Sequence, residues 1–302
     1  MTKAQTAIFT EGNRHHYFLE YRLETDTTAG DLRNALRTAL SSATGAPEGS
    51  TPECVVAFGP DAWMKLSPDE APAQLRPFTQ VEGKDGLHAP ATQHDLFLWF
   101  QGEHADEVFY AAMLAHRALA SLMSLRLEER GFVFRDSRDL GGFIDGSANP
   151  KGEDRLPVAL IPSGEACAGG SYVLGMRWVH DLPGFAALST AEQECVIGRT
   201  KPDSIEFEGD AMPPDSHVAR TDRKRDGVAQ KLWRRSSPIG TVDAPGLYFL
   251  AFSCDPSRFE FLLESMYGVD GGPTDRLLQY SKATTGSFFF APSREQLDEL
   301  LG

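Results

Sequence analysis

The chain has 302 residues, of which 41% are hydrophobic and 24% are charged, and its formal net charge is -14. This length suffices for one large domain or two modest ones. The negative charge excludes nucleic acid and an anionic membrane surface as probable partner classes, because binding phosphate groups requires a basic face.

The apolar runs and the cysteines further restrict the class of protein, its location and the metal sites it can hold. No apolar run approaches the roughly 18 residues needed to cross a bilayer, and the first residues lack the apolar core of a secretion signal. A cytoplasmic protein is therefore predicted. The cysteines show no close pair, which favours reduced thiols and excludes a cysteine-based zinc or iron–sulfur site. They are Cys54, Cys167, Cys195 and Cys254.

The first half of the chain predicts an alternation of strands and helices. Apolar and aromatic residues alternate in 16–24, whereas Leu32, Leu36 and Leu40 recur at helical spacing. The resulting strand–helix–strand–strand–helix–strand order is the ferredoxin-like pattern. The predicted elements are a strand at 16–24, a helix at 31–43, a strand at 53–58, an irregular connection with one short turn of helix at 60–92, a strand at 94–101, a helix at 104–129 and a strand at 131–135.

The second half repeats this order less clearly. A capping box at Ser189 and Glu192 marks the start of one helix. We therefore predict an α+β protein with a duplicated ferredoxin-like fold, made of two four-stranded antiparallel sheets with peripheral helices, and halves at 1–140 and 141–302. The predicted elements are a strand at 171–178, a helix at 189–197, a connection at 199–245, a strand at 246–253, helices at 256–267 and 274–281, a strand at 286–291 and a terminal helix from 292.

The segment 142–150, with the sequence GFIDGSANP, places Asp145 between two glycines and ahead of an Asn-Pro turn. Glycine accepts backbone angles closed to other residues and lets a ligand approach the main chain closely. Asp145 is therefore a candidate catalytic carboxylate on a rigid corner. The alternative is a structural aspartate in an Asx-turn, which is common at such corners.

The connection at 199–245 is unusually long for a compact domain without a function. It carries His217, followed later by Arg234 and Arg235 next to a Ser-Ser-Pro turn. For each of these residues the alternative to a functional role is an ordinary one, since a single histidine is usually structural and paired arginines are usually solvated. A lone histidine with one carboxylate and one arginine suits a cofactor with an open axial position better than a bare metal ion.

Three ordered motifs carry a family resemblance. Residues 142–150 resemble the G-x-x-D-G motif of dye-decolourising peroxidases, in particular their bacterial B class. Residues 217–220 (HVAR) resemble the proximal haem-ligand region of that family, and residues 234–240 (RRSSPIG) resemble its distal arginine segment. The spacings agree as well, with 217 − 145 = 72 residues from Asp145 to His217 and 234 − 217 = 17 from His217 to Arg234.

The resemblance implies one haem b per chain, between the halves and held mainly by the second. It implies that His217 ligates the iron while Asp145, Arg234 and Ser236 line the open face. The activity implied is reduction of hydrogen peroxide with oxidation of phenols, dyes or similar small aromatic one-electron donors through a ferryl intermediate. A homo-oligomer, dimer or larger, is implied as well.

Further residues are assigned by the same resemblance. Asp275 is the candidate hydrogen-bond partner of His217, with a helix cap as the alternative. Arg220 is the candidate partner of a haem propionate, with a surface ion pair as the alternative. The predicted contacts of the cofactor are Ile144, Gly146, Ser147, Phe252 and Phe261, and the candidate electron relays are Trp178, Trp233, Tyr248 and Tyr280.

Two other functions stay open at the level of sequence. A haem carrier or haem-processing protein could use the same pocket without physiological peroxidase activity. A non-haem α+β enzyme would bind no haem at all. The absorption spectrum of the purified protein separates the second alternative from the other two.

Overall fold

The computed structural model of the chain describes residues 3–41 and 51–302, and within them the fold is α+β. The first half begins with a nine-residue strand of alternating character and continues with an amphipathic helix, as their sequence periods predict. The elements of this half are β1 (His15–Leu23), α1 (Ala29–Ser41), β2 (Glu53–Phe58), α2 (Pro60–Leu66), β3 (Val81–Glu82), β4 (His88–Ala89), β5 (Leu96–Gly102), α3 (Ala105–Leu119) and β6 (Met123–Phe132).

The second half contains two long strands, several short strands and mostly short helices. The predicted capping box is present, with Ser189 and Glu192 bonding each other's backbone at the start of a helix. The elements are α4 (Arg155–Ala159), β7 (Ser171–His180), α5 (Leu182–Ala186), α6 (Thr190–Ile197), α7 (His217–Thr221), β8 (Lys224–Arg225), β9 (Val228–Ala229), β10 (Trp233–Arg234), β11 (Ser237–Gly240), β12 (Pro245–Ser253), α8 (Ser257–Met266), β13 (Ser281–Ala283), β14 (Ser287–Ala291) and α9 (Arg294–Leu301).

The same strand arrangement occurs in both halves. In the first, the spatial order is β2, β5, β1, β6, with all neighbours antiparallel. In the second, β11, β12, β7 and β14 follow the same order and are also antiparallel. The duplicated ferredoxin-like fold predicted from the order of elements is thus confirmed.

The two four-stranded units are joined into one continuous sheet. β14 pairs with β2 through Phe290 and Phe58. At the other end of the sheet, β11 lies beside β6, where the Ser237 hydroxyl donates a hydrogen bond to the carbonyl of Phe132 at 3.3 Å. The sheet therefore curves round so that its two ends approach each other and enclose an interior.

Aromatic side chains from both units fill that interior. Phe18 of β1 stacks on Tyr248 of β12 with ring centroids 4.2 Å apart, and Phe97 of β5 packs against Phe289 of β14. The fully buried Glu20 carboxylate accepts a hydrogen bond from the Tyr248 hydroxyl at 2.7 Å. Because a buried carboxylate requires such partners, this contact fixes the two units relative to each other.

Two predicted elements of the first half are wrong. A single helix was expected at 104–129 and a strand at 131–135, but α3 ends at Leu119 and β6 occupies Met123–Phe132. Met123, Leu125 and Leu127 alternate with polar residues, which is the period of a strand. The leucines of this segment also fit helical spacing, which is why a helix was predicted where the structure has a strand.

The long connections contain more structure than expected. The irregular segment at 60–92 includes the two-turn helix α2 and the small β3–β4 hairpin, and the connection at 199–245 includes α7 and four short strands. The helix predicted at 274–281 is only a 3-10 turn at Arg276–Gln279, after which β13 begins. The predicted end of the first helix, at 42–43, lies outside the described residues.

In the part of the chain that the structure describes, no helix combines the length and the apolar character required to span a membrane.

Candidate active site

Asp145 lies on a glycine-flanked corner of the loop that follows β6. Gly142 and Gly146 have φ values of +94° and +74°, a left-handed conformation that glycine adopts at little cost. The Asp145 N–H donates to the carbonyl of Ser137 at 2.9 Å, and the Gly146 N–H donates to Asp145 Oδ1 at 2.7 Å. The backbone thus uses one carboxylate oxygen, Oδ1, and Asp145 lines a cavity.

Arg138 anchors this loop to the segment after α6. Its guanidinium donates to the carbonyls of Gly142 at 3.0 Å, Lys201 at 2.8 Å and Pro202 at 3.0 Å, and it pairs with the Asp136 carboxylate at 2.9 Å. A guanidinium offers five N–H donors in a rigid fork, and here these donors connect two separate loops. The position of Asp145 therefore does not depend on its own turn alone.

Asn149 connects the Asp145 corner to Arg234. Its side-chain amide donates to the Arg234 carbonyl at 2.8 Å, while its oxygen accepts from the Arg234 backbone N–H at 3.2 Å and from Nε at 3.3 Å. Sequence reasoning assigned Asn149 only a role in the turn. A side chain that pairs with the backbone 85 residues later leaves no local signal.

The two neighbouring arginines point to different places. Arg234 and Ser236 lie on the cavity wall, and the Ser236 hydroxyl accepts the Leu250 N–H at 3.3 Å. Arg235 instead lies over the Trp99 ring, 5.1 Å from its centroid, and its pKa is lowered to about 10, chiefly by burial. Alternation along an extended segment accounts for this difference.

His217 is the first residue of α7, whose N-cap Ser216 accepts the Ala219 N–H at 3.3 Å. The His217 Nδ1 is hydrogen-bonded to Asp275 Oδ2 at 2.7 Å, and the buried Asp275 also accepts the Leu277 N–H through Oδ1 at 2.9 Å. Asp275 is thus both a partner of His217 and a helix cap. The contact leaves Nε2 of His217 as the nitrogen available to a ligand.

Arg220, the predicted partner of a haem propionate, lies outside the cavity wall. The side chain is buried, pairs with the Asp270 carboxylate at 2.7 Å and donates to the carbonyl of Ser265 at 2.8 Å. It therefore ties α7, which carries His217, to the end of α8. The partner lies 50 residues away, so the sequence does not reveal it.

Phe252 and Phe261, which were predicted to contact the cofactor, are not on the cavity wall either. In β12 the residues on the cavity wall are Leu247 and Phe249, whereas Phe252 has the opposite parity and faces the interior of the sheet. In α8 the cavity-facing stripe includes Phe259 and Leu262, and Phe261 instead packs beneath the Arg225 guanidinium.

A single cavity of about 260 Å³ brings most of the remaining predicted residues together. Its described lining comes from 139–281, so all of it except Asp139 belongs to the predicted second half. Much of the wall is apolar, including Leu174, Met176 and Leu263. The predicted site residues on this wall are Ile144, Asp145, Gly146, Ser147, His217, Arg234 and Ser236.

The candidate electron relays divide into two pairs. Trp178 and Tyr280 lie on the cavity wall. Trp233 and Tyr248 are fully buried in the interior of the sheet, and the pKa of Tyr248 is raised well above its usual value by burial and by the neighbouring Glu20 carboxylate.

A second imidazole also reaches the cavity. His180, at the end of β7, bonds through Nδ1 to the Ser281 hydroxyl at 2.9 Å, and burial lowers its pKa to about 4. A neutral hydroxyl makes His180 a weaker electron donor than His217, whose Nδ1 faces a carboxylate. The two imidazoles are therefore chemically distinct.

Comparison with known proteins identifies the family. Residues 5–133 match the model of the Dyp-type peroxidase N-terminal region, and residues 136–296 match that of the C-terminal region. The chain belongs to the Dyp-type peroxidase family. The peroxidase class predicted from the sequence is thereby confirmed.

Individual relatives agree with this assignment. The chain is 38% identical over 249 residues to a dye-decolorizing peroxidase of Mycobacterium tuberculosis, covering 81% of this chain and 74% of the relative. Among solved structures of the family, it resembles a protein from Shewanella oneidensis with 36% identity and a TM-score of 0.92, covering 100% and 98% of the two chains.

A haem complex is among the similar structures. A variant of DypB from Rhodococcus jostii in complex with haem has 32% identity to this chain and a TM-score of 0.91, and the match covers 99% of each chain. The dye-decolorizing protein of V. cholerae is 38% identical with a TM-score of 0.89, covering 98% and 99%.

Proposed function

We propose that the chain binds one haem b in this cavity, with His217 as the residue that would ligate the iron, and reduces hydrogen peroxide at the expense of phenols, dyes and similar donors. The observation that carries the proposal is that His217, Asp145 and Arg234 line one cavity, and that the buried Asp275 carboxylate is hydrogen-bonded to His217 Nδ1.

The cavity suits haem in its chemistry. An apolar wall accommodates a porphyrin, and an imidazole with one nitrogen already hydrogen-bonded presents the other in a fixed tautomer. Asp275 makes His217 a stronger donor, because a carboxylate on Nδ1 increases the basicity of Nε2. Haem, when bound, supplies the redox chemistry that cleaves the O–O bond of peroxide.

The polar residues of the wall supply the proton transfer and charge stabilisation. Asp145, whose Oδ2 is not used by the loop backbone, accepts the peroxide proton and returns it to the departing oxygen. Arg234 stabilises the negative charge that develops on that oxygen. Ser236 holds water through its hydroxyl, which already accepts the Leu250 N–H.

The other finer assignments rest on the same site. Ile144, Gly146 and Ser147 contact the cofactor from the Asp145 loop. Bulky donors that cannot enter the cavity pass electrons through its edge, for which Trp178 and Tyr280 are placed on the wall. The cytoplasmic location, the homo-oligomeric state and the boundary of the halves at 140/141 stay predictions.

Stopped-flow mixing of the haem-reconstituted protein with hydrogen peroxide tests the proposed function. We expect an intense haem absorption band that changes rapidly on mixing, and steady-state oxidation of a phenol that requires peroxide. A haem band that does not respond to peroxide would favour a haem carrier instead. A protein that stays colourless when haem is supplied would contradict both functions.

Asp275→Asn tests the role assigned to the partner of His217. The amide retains a hydrogen-bond acceptor but loses the negative charge, so we expect a higher reduction potential of the bound haem. The rate of reaction with peroxide is expected to fall about 10- to 100-fold, the usual effect of changing such an outer partner. Potentiometry and stopped-flow spectroscopy measure the two effects, and an unchanged potential would contradict the assignment.

A further inference from the structure

Asp139 is a second carboxyl on the wall that carries Asp145. Its Oδ1 accepts the N–H of Phe143 at 2.9 Å, its own N–H donates to the Phe143 carbonyl at 2.8 Å, and its carbonyl accepts the Gly142 N–H at 3.0 Å. These contacts close the loop immediately before the Asp145 corner. The carboxyl therefore has a fixed place beside Asp145, and it lines the same cavity.

The surroundings of Asp139 favour a bound proton. Its pKa is raised to about 6, first by burial and also by the negative charge of Asp145, against the loop N–H groups, of which Phe143 lowers it most. The nearby Lys201 amine bonds to the Gln193 side chain at 2.5 Å, and Arg138 pairs with Asp136. The other charged or titratable groups that line the cavity are His180, Asp181, Arg199, which pairs with Glu206, His217, Asp222, Lys231, Arg234 and Tyr280.

We propose that Asp139 is a positioning residue that holds a proton in the cavity wall and lends it to Asp145 during turnover. The inference rests on the proposed peroxidase function. It goes beyond that function because it adds a carboxyl that touches neither peroxide nor cofactor.

The proton balance shows why such a group is useful. Reduction of hydrogen peroxide by two phenol molecules gives two waters and two phenoxyl radicals, so each donor loses one electron and one proton. Electrons can reach a buried centre through the protein, whereas each proton needs a local carrier. The proton leaves the Asp139 carboxyl for Asp145, and Asp139 then takes one back from the solvent that received the protons of the donors.

Asp139→Asn separates proton supply from loop structure. The amide oxygen can still accept the Phe143 N–H but the side chain carries no acidic proton. For the wild-type holoenzyme we expect steady-state oxidation of a neutral phenol to fall as the pH rises through about 6. In the variant this inflection should disappear, and turnover on its acid side should fall by about tenfold.

Two further variants control the experiment. Asp203→Asn removes an exposed carboxylate from a neighbouring turn and is expected to keep the inflection. Asp139→Glu restores a carboxyl and is expected to recover it, at a shifted pH. An Asp139→Asn profile with the wild-type inflection would overturn the proposal.

Infrared titration of the haem-free protein supplies a readout that does not depend on turnover. We expect a protonated-carboxyl band that grows as the pH falls through about 6 in the wild type and is missing in Asp139→Asn. A band that persists in the variant would belong to another residue and would overturn the proposal. A wild-type enzyme that shows the band but no peroxide reaction would instead contradict the proposed function.

Discussion

His217→Ala is expected to purify with less than roughly a tenth of the haem of the wild type after reconstitution, because it removes the only bond that the proposed function assigns to the iron. The ratio of haem absorption to protein absorption measures this loss. Added imidazole, which can occupy the space of the missing ring, is expected to restore part of the band.

His180→Ala is the matched control, since it removes the second imidazole of the same cavity. We expect it to retain haem, because the Nδ1 of His180 faces the Ser281 hydroxyl and not a carboxylate. Loss of haem in His180→Ala together with retention in His217→Ala would show that the ligand has been assigned to the wrong histidine.

Arg234→Ala is expected to slow the reaction with hydrogen peroxide by about 100- to 1,000-fold, the usual effect of removing a fixed donor that stabilises charge in the transition state. Haem binding should persist, because Arg234 is proposed to stabilise charge during the reaction and not to ligate the iron. Stopped-flow spectroscopy at saturating haem gives the rate directly.

Lys231→Ala removes another cation from the same cavity wall. Its amine pairs with the Asp222 carboxylate at 2.6 Å. Its charge is thus already compensated, and we expect the rate with peroxide to change by less than about threefold. Equal losses in the two variants would mean that the general positive charge of the wall matters and that Arg234 has no special position.

The parts of the fold that follow from periodicity were predictable. The strongly apolar strand at 246–253 and the helix stripe that includes Phe259 and Leu262 lie where their periods place them. The parity of β12 was not predictable, because both of its faces carry apolar residues. This is why Phe252 was assigned to the cavity while Phe249 occupies it.

The three sequence motifs identified separate residues of the site but not the contacts that join those residues. Asp145, His217 and Arg234 line one cavity. Asn149 bridges two of these motifs and Arg220 pairs with Asp270, and both contacts join residues far apart in the chain. Pairings of this kind depend on the folded topology, so no local pattern of residues reveals them.

Side chains of both halves pack together in the interior of the curved sheet, so the two halves form one rigid unit. Phe18 and Phe97 lie in strands of the N-terminal half that do not line the cavity, yet they pack against Tyr248, whose immediate neighbours Leu247 and Phe249 do line it. A destabilising substitution in the N-terminal half would therefore alter the cavity through these packed aromatic rings. Neither half is a free-standing module that could be cut away, exchanged or evolved without its counterpart.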